Sequence, residues 1–251
     1  FVMVSIAYIT LLERKILGYI QIRKSINKVS FLGIFQPFSD MFKLYFKEFF
    51  MLNYFNMMIY LLVPLIGLFL SMYMYMSLPF FSVNLFFNYS ILFLLSCLMM
   101  NVYFVLLMSW SSNSKYSYLS SIRMVAQMIS YEISMFIYLL CFILLMNSLS
   151  IIDLSKIQKY LWMMFLMLFL LIILFIIFLS ELNRIPFDFM EGESELVSGF
   201  NVEYGSSMFS IIFIFEYLNI VFFSIFLCLL FLKGVFYYFL FYIKVMFFML
   251  F

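Results

Sequence analysis

The chain has 251 residues, a net charge of +2, and a composition that is 68% apolar or aromatic and only 10% charged, with a mean hydropathy of +1.17. A soluble domain holds roughly 45–50% apolar and about 25% charged residues, so these figures exclude a water-soluble globule and require a polytopic membrane protein. The small net charge excludes a nucleic-acid footprint, and with no histidine and three cysteines standing singly (Cys97, Cys141, Cys228), no haem, iron–sulfur or zinc ligand set and no disulfide framework can be assembled.

A helix needs about 20 apolar residues to cross ~30 Å of hydrocarbon, and the apolar runs lack the alternation of barrel strands. The expected fold is therefore all-α, a polytopic transmembrane helical bundle in a single membrane domain, 1–251. Spans are expected at 1–12, 56–78, 90–110, 122–147, 160–180, 207–232 and 235–251. The first reaches only about 18 Å as a helix, and the last ends with no polar residue after it, so both are expected to be truncated.

After the first span comes a polar stretch, 13–48, opening on Glu13, Arg14 and Lys15. Within it Pro37 suits a first helical turn. Gln36, Asp40, Lys43 and Lys47 follow at i, i+4, i+7 and i+11, while Phe38, Met41, Phe42, Tyr45 and Phe46 cover the other face. That pattern predicts an amphipathic helix in the membrane interface, either a stiffening anchor or the gate for an amphipathic ligand arriving from lipid.

The fourth span carries Glu132 and, separately, a polar stripe of Arg123, Gln127, Ser130 and Ser134; the sixth carries Glu216. A charge at the bilayer centre costs about 2.5–3.5 kcal/mol even on the lenient insertion scale, so each glutamate must be neutral, paired or hydrated, and is a functional candidate. Its rival role is a hydrogen bond to a neighbouring helix. Between these spans lies an acidic loop, 181–206. Seven of the twelve acids fall between 181 and 216 (Glu181, Asp188, Glu191, Glu193, Glu195, Glu203, Glu216), with Arg184 as the lone base. Such a run is either a solvated face or a set of coupled carboxylates able to take up and release protons.

The connections after spans 1, 3 and 5 hold ten Lys and Arg (Arg14, Lys15, Arg23, Lys24, Lys28, Lys43, Lys47, Lys115, Arg123, Arg184), and those after spans 2, 4 and 6 hold three (Lys156, Lys159, Lys233). That bias puts the long polar segments on the side where the protein is made.

Three blocks in this order, LLERKILGYIQIRKSINKVSFLGIFQPFSDMFKLYFKE, SWSSNSKYSYLSSIRMVAQMISYEIS, and ELNRIPFDFMEGESELVSGFNVEY with FEYLNI, resemble the chain 1 family of mitochondrial NADH–ubiquinone oxidoreductase, respiratory complex I. The resemblance runs through nearly the whole chain. It implies an eight-helix membrane core subunit of the mitochondrial inner membrane, its basic side facing the matrix. The family's chain has no redox centre; NADH, flavin and iron–sulfur centres belong to partner subunits, and ubiquinone is the substrate. The implied partners are the other membrane-arm and peripheral-arm subunits, ubiquinone and membrane lipids. By motif match, Glu13, Arg14, Arg23, Gln36 and Asp40 take quinone-tunnel positions. Glu132, Glu181, Arg184, Asp188, Glu191, Glu193, Glu195, Glu203 and Glu216 take proton-coupling positions. The family commonly reads Arg-Lys-Gly-Pro-Asn where this chain has Arg23-Lys24-Ser25-Ile26-Asn27. Rival readings are the homologous subunit of a hydrogenase-type complex, a stand-alone ion transporter, for which internal repeats are expected and none is visible, and a structural anchor, which does not need intramembrane carboxylates.

Overall fold

A computed structural model describes residues 2–49, 54–79, 88–158, 162–189, 199–232 and 239–250. Among these residues there are ten α-helices and no strand: α1 (Val2–Ile20), α2 (Gln36–Tyr45), α3 (Met57–Met74), α4 (Ser90–Ser112), α5 (Lys115–Met146), α6 (Ile151–Ile157), α7 (Met163–Leu166), α8 (Leu168–Glu181), α9 (Ser206–Phe231) and α10 (Phe239–Leu250). Four stretches, Met57–Ser77, Ser90–Ser112, Lys115–Met146 and Ser206–Phe231, are long and apolar enough to cross a membrane, and Leu168–Glu181 and Leu240–Met249 are shorter apolar helices. The protein is a helical membrane bundle.

Helix boundaries differ from the hydropathy reading where polar residues are satisfied by other helices. α1 runs on to Ile20 instead of ending at Leu12, because Glu13 and Arg14 are good helix formers whose charges are met by other elements. α5 begins at Lys115 rather than at 122. Its polar first turns are serines packed against α4: Ser109 Oγ donates to Ser121 Oγ at 2.7 Å, and the Ser112 and Ser117 hydroxyls lie 2.8 Å apart. Small hydroxylated residues let two membrane helices approach closely. The expected span at 160–180 is divided, with a break between α7 and α8 at Met167 (φ −130°, ψ 49°).

Asparagines close three helices. Asn113 after α4, Asn147 after α5 and Asn183 after α8 all take the left-handed conformation, with φ of 49°, 52° and 51°, which asparagine tolerates better than other side chains with a Cβ. The chain then reverses, so helix ends collect at two levels. At one level the Asn56 N–H donates to Ser111 O at 3.1 Å; at the other the Ile91 N–H donates to Leu149 O at 3.3 Å.

α9 is the hub, packing against α1, α2, α3, α8 and α10, and its all-round apolar sequence is that of a helix buried on most sides. The larger core cluster includes Leu98, Leu139, Phe142, Phe178, Phe222 and Phe226. A smaller one, at the level of the acidic loop, includes Tyr60, Phe104, Met108, Phe200, Tyr204 and Phe215. At the opposite level the last carbonyls of α9 are capped by side chains: Gln158 donates to Leu230 O, and Lys244 Nζ donates to Leu232 O at 2.8 Å while lying 4.5 Å from the Trp162 ring centroid. A cation at a helix C-terminus meets the negative end of the macrodipole, which explains a lysine inside the last apolar run.

Candidate functional site

Of the residues expected at quinone-tunnel positions, Glu13, Arg14, Gln36 and Asp40 fall into two adjoining groups, both rooted on α1. In the first, Arg14 Nη1 donates to Asp40 Oδ2 at 2.6 Å and Gln36 Nε2 donates to Asp40 Oδ1 at 2.8 Å. Both carboxylate oxygens of Asp40 are thereby engaged, and α2 is fastened to α1. The polar edge of α2 is consequently split. Gln36 and Asp40 turn toward the bundle beside buried Pro37, Lys43 points outward, and Lys47 lies beyond the helix end at Tyr45. Phe42 and Phe46 are 60% and 84% exposed, as suits a helix offering aromatics to lipid at the interface. Arg23 sits apart from this group in the exposed turn after α1, its backbone N–H on Gly18 O.

The second group draws three elements together. Glu13 of α1 receives Arg184 Nη1 at 3.1 Å on Oε1 and the Tyr217 hydroxyl of α9 at 2.7 Å on Oε2. The guanidinium of Arg184 also lies over the Tyr217 ring, 5.6 Å from its centroid. Burial works to lower the pKa of Arg184, but the charge of Glu13 and the Tyr217 hydroxyl outweigh it and hold the pKa above the usual arginine range. The guanidinium therefore stays charged.

This pair stands on the wall of a cavity of about 520 Å³ between α1, α8, α9 and α10. Its lining is mainly apolar, with Ile9, Ile16, Phe175, Phe213, Phe223 and Met246 among the residues, and its polar positions include Glu13, Asn183, Arg184, Asp188 and Tyr217. Ligand sites of this volume are commonly apolar with a few placed polar groups. Here the polar end belongs to the same loop that carries the acids.

A third group lies behind that wall. Glu132 of α5 and Glu181 at the end of α8 are 8% and 7% exposed, and their two helices pack together. Glu132 Oε1 and Glu181 Oε2 are buried without a hydrogen-bond partner among the described residues. Of the polar stripe on α5, Ser130 and Ser134 bond back to carbonyls of their own helix, at Gln127 O and Tyr131 O. Gln127 instead reaches across to the Ser180 and Phe187 carbonyls at 2.8 and 2.9 Å.

A fourth group holds the segment before α9. Asn201 Nδ2 lies within 3.5 Å of Glu216 Oε1. The Tyr60 hydroxyl donates to Glu203 O at 3.0 Å, and the Tyr204 hydroxyl donates to Met108 O at 3.2 Å with Ser111 Oγ 2.9 Å away. Phe55, Tyr60 and Tyr204 stack at centroid spacings of 4.9 and 4.3 Å. Burial pushes the Tyr204 phenol well above its ordinary range, with Ser111 opposing and Tyr60 adding to the shift, so it remains a neutral donor. Glu191, Glu193 and Glu195 fall outside the described residues.

Sequence reasoning missed Tyr217, Tyr60, Tyr204, Ser111 and Asn201 as site residues. All but Tyr60 sit in a recognisable block, yet only packing shows that a tyrosine on α9 meets a glutamate 204 positions earlier in the chain.

A family model described as NADH dehydrogenase matches residues 1–251. Curated relatives named NADH-ubiquinone oxidoreductase chain 1 include the protein of Anopheles gambiae, 46% identical over 246 residues that cover 98% of this chain and 78% of the relative. That of Locusta migratoria is 46% identical over 97% of this chain and 77% of the relative. That of Nycticebus coucang is 41% identical over 88% and 69%. With the family match over residues 1–251 and these identities set beside a helical membrane bundle, the chain belongs to the NADH dehydrogenase family.

Proposed function

We propose that this chain is a core membrane subunit of proton-translocating NADH–ubiquinone oxidoreductase, respiratory complex I, in the mitochondrial inner membrane, with its basic face toward the matrix. It forms the membrane wall of a ubiquinone tunnel and links quinone reduction to proton movement. The reading is carried by one observation: Arg184, which pairs with Glu13 on the cavity wall, stands just after Glu181, a carboxylate buried like Glu132 where α5 and α8 pack together. An apolar cavity suits an isoprenoid tail, and its charged end suits the polar quinone ring. In this reading the electrons come from NADH through flavin and iron–sulfur centres on partner subunits.

Reduction of a quinone takes up protons and sets a transient negative charge near Arg184. Closely spaced carboxylates in a low dielectric interact by several kcal/mol, so a nearby charge changes which of them holds a proton. In this reading Glu181 and Glu132 receive that change first, and Glu203 and Glu216 continue the path. Asp188 stands at the cavity, and Glu191, Glu193 and Glu195 complete the acidic loop in sequence. Asp40, held by Arg14 and Gln36, fastens α2 to α1, and in this reading the lipid-borne quinone enters beside α2.

The test is Glu132→Gln and Glu216→Gln in the full-length chain, assembled at normal complex content. Glutamine keeps shape and hydrogen bonding but does not ionise. The expected result is a strong fall in energy-coupled ubiquinone reduction and in protons translocated per NADH, with electron transfer from NADH to a water-soluble acceptor preserved. Wild-type rate and stoichiometry in both variants and in the double variant would reduce these glutamates to structural partners.

A further inference from the structure

Gln127 has no charge and belongs to none of the acidic groups, yet its geometry ties two of them together. Its side chain is 7% exposed, and both N–H bonds of the amide are used across the helix contact, one on Ser180 O at 2.8 Å and one on Phe187 O at 2.9 Å. Two carbonyl acceptors leave only one orientation for the amide, and its Oε1 is buried without a partner among the described residues. The two acceptors bracket the segment where α8 ends and the chain turns. Within the bracket lie Glu181, buried like Glu132 where α5 and α8 pack, Asn183 in the left-handed conformation, and Arg184, which reaches Glu13 and Tyr217. Glu132 is on the same helix as Gln127, so one helix supplies both that carboxylate and the donor that places Glu181.

We propose that Gln127 is a positioning residue: its amide, clamping Ser180 O and Phe187 O, sets at once the approach of Glu181 to Glu132 and the reach of Arg184 to Glu13 on the cavity wall. The inference rests on the quinone-to-proton coupling reading and deepens it, because it names the part that makes the two groups move as one. A shift of the Arg184 pair on the cavity wall is passed to Glu181 through a segment held rigidly at both ends. Without the clamp, the Ser180 and Phe187 carbonyls lose their bonds to Gln127, and the two groups become independent.

The test uses Gln127→Met, which fills the volume and donates nothing, and Gln127→Glu, which keeps the shape and loses both N–H bonds. An ionised glutamate there presents a charge to two carbonyl oxygens, whereas its protonated form donates to one of them. In the full-length chain assembled into its complex, Gln127→Met is expected to lower kcat/KM for ubiquinone by about tenfold, equally across pH, and to lower protons translocated per NADH. Electron transfer from NADH to a water-soluble acceptor stays at the wild-type rate. Gln127→Glu is expected to retain more activity at low pH and to fall below Gln127→Met as pH rises, a profile that a purely structural role does not produce. Wild-type quinone kinetics and stoichiometry in Gln127→Met, or a parallel loss of both activities with complex content, would overturn the clamp. Glu181→Gln run alongside separates this inference from the reading it rests on. Impaired Glu181→Gln with normal Gln127→Met overturns the clamp alone, and wild-type behaviour of both overturns the coupling role of Glu181 as well. Impaired Gln127→Met with normal Glu181→Gln supports a clamp acting through Arg184 and removes Glu181 from the proton path.

Discussion

Replacing Glu13 by glutamine leaves an acceptor for the Tyr217 hydroxyl but removes the charge that Arg184 faces at 3.1 Å. Two unit charges at that distance attract by about 5 kcal/mol at an effective dielectric of ~20. The side chains are 41% and 35% exposed, so solvent screening and the cost of holding two long side chains leave about 1 kcal/mol of net attraction. A half-buried guanidinium without its counter-charge adds roughly another 1 kcal/mol. The sum, about 2 kcal/mol, corresponds to a fall of about 30-fold in kcat/KM for ubiquinone. The assay is NADH-driven ubiquinone reduction in membranes of normal complex content, with a water-soluble acceptor reporting the peripheral redox chain. A double-mutant cycle with Arg184→Gln isolates the pair and is expected to show about 1 kcal/mol of coupling. Single variants within twofold of wild type, or strictly additive effects in the cycle, would refute the wall pair as a determinant of quinone handling.

Two further outcomes follow from the packing around the fourth group. A methyl group at Gly67 would stand 2.3 Å from Cε2 of Phe104, a buried ring held against Phe215 at 4.6 Å; Gly67→Ala is expected to destabilise the assembled subunit by about 1–3 kcal/mol, read as faster thermal loss of quinone reductase activity, and unchanged inactivation would show that Phe104 yields freely. Tyr204→Phe keeps the stack on Tyr60 but deletes the bonds to Met108 O and Ser111. About 1 kcal/mol is lost, and coupled ubiquinone reduction is expected to drop several-fold at normal complex content, whereas Tyr204→Ala, losing the stack too, is expected to lower complex content itself; equal complex content in both variants would show that the stack does not hold this segment.

Apolar runs of membrane-spanning length, together with a sparse charge distribution, establish from the sequence alone that this chain is a helical membrane bundle. This follows because the bilayer demands internally satisfied backbone and penalises charge, so composition and run length leave one fold class. The identity of the acidic loop and of the intramembrane glutamates was legible for the same reason: in a chain 10% charged, every acid stands out. Partnership was not legible. Hydropathy ended the first span at Leu12, because Glu13 and Arg14 look like a membrane boundary until Arg184, Tyr217 and Asp40 are seen to meet them. The regular spacing of Gln36, Asp40, Lys43 and Lys47 described one polar face, but Arg14 pulls its first two members inward and leaves Lys43 outside. Gln127 looked like one polar residue in a stripe of four; only the tertiary structure separates it from Ser130 and Ser134, whose hydroxyls close on their own helix. Periodicity assigns a residue to a face of its own helix, whereas its partner is decided by how helices far apart in sequence are packed, because a short-range polar bond forms only where that packing brings the two groups within about 3 Å.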